Sequence, residues 1–125
     1  MPKVTGCVLI IRDDFNNVLT LQKKMKRGER ESFIILNQKL KGKETEEKCV
    51  NKCVKDSLKS IIFDLHKTGE YKINDEEVVA LYVGLLKERI VLDKAYIDYR
   101  WIGKRNIEDL NFEELHKNIL VEYFS

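Results

Sequence analysis

The chain has 125 residues, 43% apolar and 35% charged, with three cysteines and a net charge of +2. That length suits one domain, residues 1–125, with a single core, and the apolar content with near-balanced charge excludes a disordered chain. No apolar run approaches a membrane span, the opening Met-Pro-Lys-Val lacks the features of a secretory leader, and three thiols make no disulfide framework; a cytoplasmic protein is expected.

Val4 to Ile11 is a short, β-branched apolar run stopped by Arg12-Asp13-Asp14, and reads as a buried strand. Asp14-Phe15-Asn16-Asn17 is turn chemistry, and Val18 to Gln22 alternates at period two, which predicts a hairpin with the first strand. Residues 23–43 then carry eight basic side chains, Arg27, Arg30, Lys39 and Lys41 among them, against Glu29 and Glu31, a net +6. Such a segment either attracts anions or solvates a Lys-rich loop. Phe33 to Leu36 is a short third strand, and Asn37 to Lys43 a loop. Thr45 is placed to cap a helix, with Glu46 and Glu47 at the positive end of its dipole. Val50, Val54, Leu58 and Ile61 recur at helical spacing, and the helix is expected to end near Ser60 to Ile62. Phe63, Leu65 and Tyr71-Lys72-Ile73 read as strands around Thr68-Gly69, and Val78 to Leu86 as a strong strand followed by a turn to Ile90. Tyr96 to Ile102 alternates, Tyr96, Asp98 and Arg100 on one face and Ile97, Tyr99 and Trp101 on the other. Leu110 to Phe124 closes with a helical pattern, so the fold class is α+β.

This order of elements, ending in Tyr-Arg-Trp-Ile, resembles the Nudix (MutT-like) hydrolase domain over nearly the whole chain. The family signature runs Gly, five residues, Glu, seven residues, Arg-Glu, an aliphatic, any residue, Glu-Glu, any residue, Gly, aliphatic. Laid on this chain without a gap, its first Gly falls on Gln38 and its first Glu on Glu44. Its Arg-Glu pair falls on Lys52-Cys53, its aliphatic on Val54, its Glu-Glu pair on Asp56-Ser57, and its last two positions on Lys59-Ser60. Glu44 is identical and Lys52 and Asp56 are conservative, whereas Gln38, Cys53, Ser57, Lys59 and Ser60 depart, so the box is degenerate.

The resemblance implies a Nudix fold, a mixed sheet sandwiched between the box helix and a C-terminal helix. It implies Mg²⁺-dependent (or Mn²⁺-dependent) hydrolysis of a diphosphate, the metal held by helix carboxylates that shield phosphate charge and activate water. Here Cys53 and Ser57 stand where two of three carboxylates belong, leaving Glu44 and Asp56 as candidate ligands, so the ion is expected to bind weakly or not at all. Glu44, Asp56 and Asp98 are the candidate catalytic groups; Asp98 lies three residues before Trp101, where many members carry a carboxylate, and otherwise reads as a plain strand-edge acid. Arg27, Lys39, Lys41 and Lys59 are candidate phosphate contacts, with Gln38 at the box turn and Lys52 at its Arg position. Cys49 and Cys53, at i and i+4, could bridge a soft metal, but two thiols without a third ligand read as apolar filler. His66 and His116 read as surface or partly packed residues. The expected ligand is a nucleotide or nucleoside diphosphate-linked compound, with hydrolysis impaired or lost. The alternative is a non-catalytic nucleotide sensor or protein-interaction module. No membrane contact is expected, no base-reading motif supports nucleic acid, and the chain is a monomer or homodimer.

Overall fold

A computed structural model describes residues 3–29, 31–87 and 89–125; Arg30 of the basic segment and Glu88 of the predicted turn lie outside the described residues. In chain order the elements are β1 (Lys3–Ile11), β2 (Val18–Lys23), β3 (Phe33–Ile34), β4 (Leu36–Lys39), α1 (Glu46–Leu58), β5 (Ile62–Lys72), β6 (Glu77–Leu86), β7 (Tyr96–Ile102), a 3-10 turn (Lys104–Asp109) and α2 (Glu114–Phe124). They build a four-stranded mixed sheet, β4-β1-β6-β5, and a three-stranded antiparallel sheet, β3-β2-β7. Cys7, Leu9 and Ile11 of β1 pack into one core with Cys49, Val50, Cys53, Val54 and Leu58 of α1. Val8 and Ile10 pack into a second with Ile119 and Leu120 of α2. The mixed sheet therefore lies between the two helices, as expected for the Nudix fold.

The predicted hairpin does not form. Apart from a bridge between Arg12 and Val18, β1 and β2 belong to different sheets. Both strands bury consecutive side chains, so each needs cover on both faces, which the helices and the second sheet supply together. The connection is held by Asp13, whose Oδ1 accepts the N–H groups of Phe15 and Asn17 at 2.9 and 2.8 Å, while Asn16 takes a left-handed φ of 59°.

The predicted strand Phe33 to Leu36 is split. β3 pairs with β2, whereas β4 crosses to pair antiparallel with β1. Asn37, Gln38 and Lys39, predicted as loop, are thus strand residues, Gln38 opposite Cys7. Their polarity hid them because β4 is an edge strand. The stretch after α1 is one strand rather than two, with register shifts between Phe63 and His66 and between Lys67 and Gly69.

Thr45 caps α1 as expected, its Oγ1 accepting the Lys48 N–H at 3.2 Å. The helix stops at Leu58 because Lys59 turns left-handed (φ 51°) and closes its N–H on the Lys55 carbonyl. The last helix starts at Glu114, later than the sequence pattern suggests, because Phe112 first bridges to Phe33. Among the described residues, no helix is long and apolar enough to cross a membrane.

The close approach of β4 to β1 depends on Gly6. A Cβ there would stand 2.8 Å from the Gln38 carbonyl oxygen, a backbone atom that cannot swing aside. Gly6→Ala should destabilise the fold by about 1–3 kcal/mol in urea unfolding. Gly69→Ala, which meets nothing within 4 Å, should cost well under that.

Candidate functional site

The candidate site is the edge where α1 lies along β4. Cys49 and Cys53 face inward by the apolar periodicity of the helix and close against the backbone of that strand. The Cys49 S–H donates to the carbonyls of Gln38 and Lys39 at 3.6 and 3.7 Å. The Cys53 S–H donates to the Asn37 carbonyl at 3.6 Å. Cys53 is 3% exposed, and burial pushes its thiol up to about 11, with the Ser57 hydroxyl beside it opposing in part. Cys7 reaches the helix from β1, its S–H donating to the Glu46 carbonyl at 3.7 Å; burial and the neighbouring Cys49 push it up to about 12. At neutral pH these are protonated, inert thiols that pack.

The carboxylates are dispersed. Glu44 turns toward Cys49 and raises that thiol further, burial being the larger cause. Its Oε1 is buried with no hydrogen-bond partner. Asp56 is exposed and lies seven residues beyond Cys49, about 10 Å along the helix axis. Glu46 is occupied, accepting from the Tyr82 hydroxyl at 2.9 Å and pairing with Lys67 at 3.0 Å. Asp98 stands exposed on β7 opposite Gln22, and its Oδ1 accepts the adjacent Tyr99 N–H at 2.8 Å.

A carboxylate that sequence reasoning passed over comes nearer to the helix edge. The segment between β6 and β7 is fastened to the C-terminal carbonyls of α1, Val91 N–H to Leu58 at 2.8 Å and Asp93 N–H to Ser57 at 2.9 Å. Asp93 Oδ1 sits 3.7 Å from Lys59 Nζ, while that ammonium donates to the Asp56 carbonyl oxygen at 2.9 Å. A hydrogen bond from the Ala95 N–H, with help from Lys59, holds the Asp93 carboxyl below its usual range. Its approach to the helix depends on contacts across more than thirty residues, which no local pattern in the sequence carries.

Mg²⁺ requires several hard oxygen donors in near-octahedral array. The edge offers a protonated thiol donating to a carbonyl, a hydroxyl turned to that thiol, one exposed aspartate and a lysine ammonium beside Asp93. Glu44 has a buried oxygen without a hydrogen-bond partner, but it lies by Cys49 at the start of the helix, away from Asp56. Among the described residues no three His, Cys, Asp or Glu side chains come together to hold a metal. The donor set does not fit the ion that the fold implies.

The candidate phosphate contacts are spread. Lys39 ends β4 beside Cys49 and Lys41 follows in the loop, whereas Lys59 caps the far end of α1, about 15 Å along the helix axis from Cys49. Arg27 is exposed in the turn between β2 and β3, and Lys52 is exposed on α1. Gln38 keeps ordinary extended backbone in β4, as a residue with a Cβ should where the family has Gly. Behind it lies a cleft of about 240 Å³ between β1, β4 and α2, lined by Asn37, Gln38, Lys39, Val79, Leu115 and His116. His116 is buried here, contrary to expectation, and its Nδ1 accepts the Ile35 N–H at 3.3 Å. The irregular residue between β3 and β4 thus keeps its backbone bond.

Against known proteins, no family model matches the sequence, and no curated protein matches it. Solved structures do match in shape. A MutT protein from Methanosarcina mazei Go1 is 17% identical with a TM-score of 0.68, over 98% of this chain and 93% of that one. A NUDIX hydrolase from Nitrosomonas europaea is 15% identical with a TM-score of 0.72, over 98% and 88%. The E. coli ORF135 protein is 11% identical with a TM-score of 0.66, over 99% and 89%. The chain has the Nudix fold.

Burial holds His116 below its usual 6.5, so the folded state resists the proton that the unfolded chain accepts. Its contribution to stability is complete above about pH 6.5 and is lost as pH falls through the depressed folded value. His116→Asn, which retains an acceptor but does not titrate, should flatten the fall in melting temperature between pH 7 and 5. An equal fall in both proteins would show that His116 is not the group responsible.

Proposed function

We propose that this chain, a single Nudix-like domain over residues 1–125, binds a nucleotide or nucleoside diphosphate-linked compound and hydrolyses it poorly or not at all. The observation that carries this reading is Cys53. At the helix position where the Nudix pattern places a carboxylate, a buried thiol donates to the Asn37 carbonyl, so the site presents a packed surface in place of an anionic one. The fold supports the ligand class, because Nudix hydrolases act on nucleoside diphosphate derivatives. The cleft beside Asn37 to Lys39 supports a place for it, with Lys39 and Lys41 as nearby cations for phosphate and Arg27 and Lys59 farther off. With the metal ligands incomplete, lysine charge carries more of the phosphate attraction and should be screened by salt.

The test is a thermal-shift screen of nucleoside diphosphates, triphosphates and diphosphate sugars, with Mg²⁺, with Mn²⁺ and with EDTA, run beside a phosphate-release assay. A ligand of the folded state raises the melting temperature. At least one nucleotide should do so in EDTA, the shift should shrink with salt, and turnover with Mg²⁺ should stay well below about 1 s⁻¹. Turnover in the ordinary enzymatic range would overturn the impaired-site reading. Reversing Lys39 and Lys41 together to Glu should weaken binding about tenfold or more, whereas Lys117→Glu on α2 should leave it nearly unchanged. Equal losses would reduce the effect to general charge.

A further inference from the structure

The two sheets end in four edge strands among the described residues, and three of them are guarded. β3 has two residues, β4 carries Asn37, Gln38 and Lys39, and β5 carries Asp64, His66, Lys67, Glu70 and Lys72 with two register breaks. These are the usual means of preventing one edge from pairing with another. β7 is guarded least: it has no lysine and no proline, its register shifts only at its start, and its two charges, Asp98 and Arg100, are of opposite sign. Ile97 through Trp101 are five consecutive exposed residues, with Ile97 55%, Tyr99 38% and Trp101 37% exposed.

The strand is also complementary to itself. Tyr99 N–H is taken by the Asp98 carboxylate, which places it on the outer side, away from β2. On the inner side the Arg100 carbonyl accepts from Thr20 Oγ1 at 3.0 Å. We infer that two copies of this chain join β7 to β7, antiparallel about a two-fold axis at Tyr99. Each Asp98 then lies opposite Arg100 of the partner subunit, and each Trp101 opposite Ile97 of the partner subunit on the other face. Tyr99 exchanges its backbone bonds across the axis, and Asp98 gives up the local N–H to reach the guanidinium. Directly opposed residues with opposite charge stabilise an antiparallel pair, and like charges oppose it. Neighbouring registers fail on that rule. A two-residue slip in one direction sets Asp98 against Asp98, in the other Arg100 against Arg100, and a one-residue slip sets charged side chains against the aromatic face. A closed two-fold contact satisfies both charges at once.

Sedimentation velocity of the full chain from about 5 to 500 µM tests this, with Asp98→Arg, Arg100→Asp and the double exchange D98R/R100D. The wild type should show a concentration-dependent dimer. Each single change sets like charges opposite twice per dimer and should raise the dissociation constant at least tenfold. The double exchange should restore it to within about threefold of wild type. Arg100 also lies over the Phe33 ring, 5.4 Å from its centroid, so thermal melts accompany each variant. If Arg100→Asp loosens the fold, Asp98→Arg against the double exchange decides the matter. A wild type that stays monomeric throughout, a dimer indifferent to Asp98→Arg, or a double exchange no better than Asp98→Arg would each overturn the inference.

Discussion

The double burial of β1 is the constraint on which the other elements depend. From Gly6 to Ile11 its side chains alternate between two cores, Cys7, Leu9 and Ile11 toward α1 and Val8 and Ile10 toward α2. A strand buried on both faces demands partners on both edges and cover on both sides. β4 and β6 provide the first, and the helices with the second sheet provide the second. The position of β4 then fixes which carbonyls face α1, and with them the surroundings of every residue at the candidate site. Gly6 is the point where this chain of dependence is tightest, because no side chain fits between it and Gln38.

At the helix edge, packing outweighs charge. The thiols of Cys7, Cys49 and Cys53 occupy the seam between β1, β4 and α1 and donate to main-chain carbonyls, so the seam is filled and its acceptors are partly satisfied. The polar groups that remain are drawn outward into separate local pairings: Glu46 with Tyr82 and Lys67, Lys59 with Asp93 and the Asp56 carbonyl, Asp98 with Tyr99. A metal cluster requires convergence, and these contacts disperse the carboxylates instead.

The sequence revealed those features that depend on local pattern. The alternation of Tyr96 to Ile102, the cap at Thr45 and the stripe Val50, Val54 and Leu58 are short-range signals, and each corresponds to an element in the structure, although Ile61, at the same spacing, lies past the helix end and is exposed. Pairing was not legible. Asp14 to Asn17 has the chemistry of a hairpin turn, yet the same turn carries the chain from one sheet to the other, because strand placement is decided by which faces need cover. β4 was hidden by its polar residues, and His116 by the fact that its bond to Ile35 spans eighty-one positions. At the site, the register on α1 showed which side chains stand in the carboxylate positions. It could not show that the Cys53 thiol donates to the Asn37 carbonyl, or that Asp93 arrives from a distant loop through backbone bonds to Ser57.

The fold can carry a thiol and a hydroxyl at this edge for a physical reason. Three carboxylates within one helical turn repel one another, and each pays in desolvation unless a cation offsets the charge. They contribute little to packing, so a thiol and a hydroxyl in place of two of them remove repulsion and add buried contact. The scaffold that would present such an edge, β1 flanked by β4 and β6 and covered by α1, rests on apolar burial elsewhere and is indifferent to the exchange. Site and fold are therefore separable here. The likeness in shape to MutT and NUDIX structures describes the scaffold, while the chemistry has to be read from Cys53, Asp56, Ser57 and Asp93 themselves.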